Sequence, residues 1–153
     1  MMNQKIFIGV IGGGFCSKKV YDLALEVGRE VAKNDAVLVC GGLGGVMEGA
    51  ACGAKENGGI TIGILPTSKR SDANPYIDYP IPTGLGEARN ILVVKSSDVV
   101  ISLPGRYGTL SEMAFCLKLR KPLVSLSDWD LAPEIVKAKN PREAVKLALS
   151  MVE

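Results

Sequence analysis

The richest chemical content of this chain lies in three glycine runs, each followed by residues suited to starting a helix. Gly12-Gly13-Gly14 ends one apolar stretch and Gly41-Gly42-Leu43-Gly44-Gly45 ends a second. Pro104-Gly105-Arg106-Tyr107-Gly108-Thr109-Leu110-Ser111-Glu112 ends a third. Glycine lets the backbone come close to a ligand and reach positive φ, and a helix start offers free amides to an anion. In the third run the amides near Gly108, Thr109 and Leu110, with the Thr109 hydroxyl, can face a phosphate. The second run leads into Val46-Met47-Glu48, so Met47 and Glu48 join the candidate lining. Each run also has a plainer reading. Gly41 to Gly45 suits a tight strand-to-helix turn with close helix–sheet packing, and Thr109-x-x-Glu112 is a capping-box pattern.

Several chemistries are excluded by residue type or spacing. The chain has no histidine, which removes Ser-His-Asp and Cys-His nucleophiles and His-ligated zinc. Gly12 and Gly14 match the first two glycines of G-x-G-x-x-G, but Ser17 takes the third place, and the next strand ends in Cys40 where a ribose-binding acid is expected. Ordinary NAD binding is therefore disfavoured. No glycine run is followed by Lys-Ser or Lys-Thr, so there is no Walker A loop. The four cysteines, Cys16, Cys40, Cys52 and Cys116, are widely spaced, which argues for reduced thiols and against a metal site. With 18 basic and 16 acidic residues, the formal charge of +2 gives no bulk attraction to nucleic acid or a membrane surface. Aromatics at 5% argue against a base-stacking platform for single strands. The apolar run from Ile6 to Ile11 is too short for a signal-peptide core, and no stretch approaches the length expected of a membrane span. A cytoplasmic protein is expected.

The elements that must hold the glycine runs alternate along the chain. Apolar, β-branched segments predict strands at Lys5–Ile11, Ala36–Cys40, Ile60–Leu65, Asp98–Leu103 and Pro122–Leu126. Tyr76–Ile81 reads as a short edge strand because of Pro80 and Pro82. Helices are predicted at Ser17–Asn34, Val46–Asn57, Glu87–Ser96, Gly108–Leu119 and Pro141–Val152, with Ser17 as an N-cap. Continuous apolar strands between helices imply an α/β, Rossmann-like three-layer fold, with a mostly parallel sheet covered on both faces. One domain over residues 1–153 is expected, and a chain of this length needs no cofactor or metal to fold. Ligands of such sheets sit beyond the carboxyl ends of the strands, where the three glycine runs fall.

The succession GGLGGVMEGAACGA, GEARN and LPGRYGTLSE resembles the LOG-like family, once described as lysine decarboxylase-like. Its enzymes are cytokinin riboside 5′-monophosphate phosphoribohydrolases, and its signature is a proline, two glycines, any residue, then Gly-Thr-x-x-Glu. The resemblance runs from Gly12 to about Leu126. The forms ILP, TG-x-G-x-ARN and GTLSE look closer to the branch containing molybdenum cofactor carrier proteins. The resemblance implies a nucleotide pocket between the glycine turns. It matches Arg89 and Glu112 to the family's catalytic arginine and glutamate, and brings Asn90 beside Arg89. Such a pair suits N-glycosidic cleavage, since a carboxylate can stabilise an oxocarbenium-like centre or direct water to it, and an arginine can fix the carboxylate or the phosphate. The plainer reading of Arg89 is a surface charge near Glu87.

Arg106 departs from the signature, standing where the second glycine is expected. The expectation is that arginine fits a positive-φ position poorly and that its side chain lines the pocket. Two functions follow. One is a binding or carrier protein for a phosphorylated, nucleotide-like small molecule, such as a bound nucleotide or the pterin-based molybdenum cofactor. The other is a nucleoside 5′-monophosphate phosphoribohydrolase. The helix Gly108–Leu119 is apolar on nearly every side, which with the resemblance predicts a homodimer or higher homo-oligomer.

Overall fold

The computed structural model describes residues 4–152. The apolar runs form β1 (Phe7–Ile11), β2 (Val37–Cys40), β3 (Ile60–Leu65), β4 (Tyr79–Pro82), β5 (Val99–Ser102), β6 (Leu123–Ser125) and β7 (Val136–Lys137). They pair in parallel throughout, in the order β4-β3-β2-β1-β5-β6-β7. The chain winds outward from β1 in one direction as far as β4, then returns to the other side of β1 with β5. Ile8 therefore pairs with Leu38 on one flank and with Val99 on the other. This reversal parts the loops after β1 and β5 and opens a crevice at their carboxyl ends.

The helices are α1 (Lys18–Lys33), α2 (Val46–Glu56), α3 (Asn90–Lys95), α4 (Tyr107–Lys118) and α5 (Pro141–Ser150). Ser17 caps α1 by accepting from the Val20 amide at 3.2 Å, and the Ala24, Val27 and Val31 stripe is buried as its spacing predicts. Side chains of α1, α2 and α5 pack with Ile8, Val10, Leu38 and Ile101 on one face of the sheet. Those of α3 and α4 pack with Ile11, Val39 and Val100 on the other, completing the three layers. The α1–α2 crossing is tight: a Cβ on Gly53 would lie 1.9 Å from the Leu25 carbonyl oxygen. None of the helices among the described residues is long and apolar enough to cross a membrane.

Three local departures from the sequence reading have physical causes. Residues 76–78 are tied to β3 partly through side chains, with Thr61 Oγ1 donating to the Tyr76 carbonyl at 2.6 Å and Asp78 accepting from the Thr61 amide at 3.0 Å. The β4 ladder therefore begins only at Tyr79, on the sheet edge where Pro80 and Pro82 are tolerated. The segment expected as one helix from Glu87 starts instead as a tight 3₁₀ turn at Gly86–Arg89 before α3 begins. β7 was not expected; two residues carry no periodicity, and pairing of Val136 with Val124 creates it.

Candidate functional site

The three glycine turns converge at the β1–β5 crevice and are tied together by their backbones. The Gly13 amide donates to the Pro104 carbonyl at 3.0 Å, and the Val46 amide donates to the Gly13 carbonyl at 2.9 Å. Beside them lies a cavity of about 580 Å³, a size suited to a small-molecule ligand. Gly12, Gly13, Gly14, Gly41 and Met47 line it from the β1 and β2 ends. Arg89, Asn90, Gly105, Arg106, Gly108, Thr109 and Glu112 line it from the α3 and α4 side. The other six candidates, Gly42, Gly44, Gly45, Glu48, Tyr107 and Leu110, are not part of this lining. Four residues not singled out from sequence do line it: Val10, Ile11, Phe15 and Glu87. The first two were readable as the last residues of a central strand, and Phe15 as the residue after the glycine run.

Arg89 is buried, which overturns its reading as a surface charge. The 3₁₀ turn before α3 points it under the sheet ends, where its Nε donates to the Ile64 carbonyl at 2.9 Å and its Nη2 reaches the Gly41 carbonyl at 3.4 Å. Its Nη1 donates to Asn90 Oδ1. Gly41 makes this possible, because a Cβ there would stand 2.7 Å from the guanidinium. Asn90 in turn donates to Ser111 Oγ at 3.2 Å, linking α3 to the first turn of α4. Burial lowers the Arg89 pKa, and the nearby Glu112 charge opposes that shift.

Glu112 is only 7% exposed, and neither a hydrogen-bond nor a salt-bridge partner meets its carboxyl group among the described residues. Since no wholly enclosed side-chain oxygen lacks a partner, its carboxyl oxygens open onto the cavity that it lines. Burial pushes its pKa up to about 8, against the opposing pull of Arg89. The capping-box reading is corrected by the same geometry. Arg106, not Thr109, occupies the N-cap of α4, without any side-chain cap, and Thr109 is already inside the helix. Thr109 is buried against Gly105, where a Cβ would lie 2.0 Å from its hydroxyl oxygen.

α4 begins at the edge of this space, where Gly108 and Thr109 line it. The Leu110 amide is taken by the Arg106 carbonyl at 2.9 Å, so the unengaged donors are those nearer the helix start, at Tyr107, Gly108 and Thr109. This shifts the anion-facing set read from sequence by one residue, removing Leu110 and adding Tyr107. Arg106 has φ −106°, so the position it fills requires no left-handed backbone and the expected strain is absent. Its side chain is exposed, lines the cavity and forms no ion pair among the described residues. Cys40 lies nearby but is held protonated, its pKa pushed up to about 11 by burial. No group of three or more His, Cys, Asp or Glu side chains that could hold a metal occurs among the described residues.

A three-layer fold around a parallel sheet, with a cavity at its topological switch point bordered by arginines, a buried glutamate and an open helix start, defines a LOG-like Rossmann protein. The chain belongs to the SLOG cluster4 family, whose model matches residues 5–153. It lies near the molybdenum cofactor carriers within that LOG-like group. The molybdenum cofactor binding protein of the phototrophic bacterium Rippkaea orientalis superposes with a TM-score of 0.93 at 38% identity, covering 98% of this chain and 99% of that one. The molybdenum cofactor carrier protein of Chlamydomonas reinhardtii superposes with a TM-score of 0.83 at 34% identity, covering 96% and 99%. The cytokinin riboside 5′-monophosphate phosphoribohydrolase of Mycobacterium tuberculosis is 33% identical over 121 residues, 72% of this chain and 64% of that enzyme.

Proposed function

We propose that this chain binds and carries a phosphorylated, nucleotide-like small molecule, with the pterin-based molybdenum cofactor as a cargo that fits the reading. The observation that carries it is the whole-length likeness to molybdenum cofactor carriers, which spans 96–98% of this chain and 99% of theirs, against 72% and 64% for the mycobacterial phosphoribohydrolase. The state of Glu112 is in keeping with it: burial raises its pKa to about 8, which favours the protonated form at pH 7. A protonated acid can donate a hydrogen bond to a bound ligand and spares an anionic cargo the repulsion of a carboxylate. The same proton also suits a general acid toward a leaving base.

The phosphate group goes to the free amides at Tyr107, Gly108 and Thr109, with the Thr109 hydroxyl beside them. The unpaired Arg106 guanidinium meets a further anionic oxygen in bidentate fashion. Chemistry at Arg89 and Glu112 remains the second reading, because both border one cavity and the mycobacterial relative carries a phosphoribohydrolase name. On either reading residues 1–153 act as one nucleotide-binding unit. We further propose a homodimer through α4, where Leu110, Phe115 and Leu117 remain half-buried and Leu119 is exposed. Sedimentation at micromolar concentration checks it, and a monomer there removes the dimer.

Calorimetric titration with AMP, adenosine and ADP tests the binding reading. AMP is expected to bind at least about tenfold more tightly than adenosine, and ADP more tightly than AMP, from one charge-assisted contact each. Arg106→Gly should abolish the ADP preference while AMP still binds. Equal affinities for AMP and adenosine would remove phosphate recognition.

A further inference from the structure

We infer that Phe15 forms a stacking wall for a planar heteroaromatic ring of the ligand, with the ring toward the end of β1 and the anionic group toward Arg106 and the start of α4. This rests on the binding reading above and adds where the two ends of the molecule lie. Phe15 is 100% exposed, directly after the first glycine turn. Exposed apolar side chains scattered over a surface need no explanation, and Tyr79, Ile81, Leu85, Leu119 and Leu131 are of that kind. Phe15 differs because, of the exposed large apolar side chains among the described residues, it alone borders the cavity. The same cavity contains the unpartnered Glu112 carboxyl group, which marks it as a place built for a ligand.

The lining is mixed in chemistry. Val10 and Ile11 are the buried end of β1, and Met47 adds a polarizable thioether with the Arg89 guanidinium close by, both against Gly41. Arg106 and the free amides at the start of α4 border the same cavity. An unpacked aromatic face gains little from a phosphate, but it gains dispersion and desolvation from a flat π-system. The exposed Glu87 carboxylate on the 3₁₀ turn also borders the cavity. As a hydrogen-bond acceptor it favours a ring edge bearing N–H groups and disfavours an anion at that position.

The test compares AMP with ribose 5-phosphate, which carries the same phosphate and sugar without a ring. Affinities are measured by calorimetry for the native protein, Phe15→Ala and Phe15→Trp. Phe15→Ala is expected to weaken AMP by about tenfold and leave ribose 5-phosphate within about twofold, while Phe15→Trp retains AMP affinity. An unchanged melting temperature and sedimentation coefficient in Phe15→Ala would show that the loss is local. Equal weakening of both ligands, or AMP affinity unaffected by Phe15→Ala, would overturn the stacking wall while leaving phosphate binding intact. A change of oligomeric state without a change in AMP affinity would make Phe15 a contact between copies and overturn it too. If the native protein binds neither probe, the binding reading fails first and takes this inference with it.

Discussion

The turn into α2 and the turn into α4 are both glycine-rich strand-to-helix connections at the same end of one sheet, yet they are used differently. The α2 turn is closed by its own packing. Gly45 has φ 63°, a Cβ there would lie 2.3 Å from the Gly13 carbonyl oxygen, and the following Val46 amide is already bonded to Gly13. The α4 turn is open. A Cβ on Gly108 would meet nothing within 4 Å, the first amides of the helix are free, and Arg106, Thr109 and Glu112 face the cavity. Glycine therefore serves tertiary packing in one turn and room for a ligand in the other. Composition does not distinguish them; what stands against each missing Cβ does.

The largest effect expected from this difference comes from the ionisable group buried beside the open turn. The folded pKa of Glu112, about 8, lies above its ordinary value of 4.5. Between those values the folded chain keeps a proton that the unfolded chain releases, so stability falls as pH rises through that window. The full loss is on the order of 5 kcal/mol. Thermal unfolding at pH 5 and pH 9 should show it, and Glu112→Gln should flatten most of the difference and melt higher than the native protein at pH 9. An equal pH response in Glu112→Gln would place the proton elsewhere.

A smaller effect separates the two turns directly. Gly45→Ala should lose about 3 kcal/mol, from a backbone conformation that side chains rarely adopt and a collision with fixed backbone, which is roughly 6–12 °C in melting temperature. Gly108→Ala should shift the melting temperature by little, since open space receives the methyl group, while weakening AMP. If Gly108→Ala destabilised the fold as much as Gly45→Ala, the contrast between a packing turn and a ligand turn would collapse.

Much of the frame could be read in advance because it rests on local patterns. Ser17 with the Ala24, Val27 and Val31 stripe specified α1, and the β-branched runs specified a buried parallel sheet. Arg89 and Glu112 were legible through motif resemblance, but their burial was not. It depends on the 3₁₀ turn at Gly86–Arg89 and on the missing side chain at Gly41, neither of which has a sequence period. The plainer capping-box reading of Thr109-x-x-Glu112 failed because that pattern occurs in any context, and only the position of the helix start decides whether it acts as a cap. The closed state of Gly42, Gly44 and Gly45 depended on contacts between distant segments. Phe15 carried no motif, and its significance comes from which cavity it borders.

The central claim is that the cavity holds its ligand without cleaving it, and release of free adenine from AMP tests it most directly. Chromatographic assay at pH 7, with AMP at concentrations where calorimetry shows the protein loaded, should give slow or absent adenine release, no faster than with Glu112→Ala. Rapid release by the native protein that disappears in Glu112→Ala would contradict the carrier reading and establish a phosphoribohydrolase.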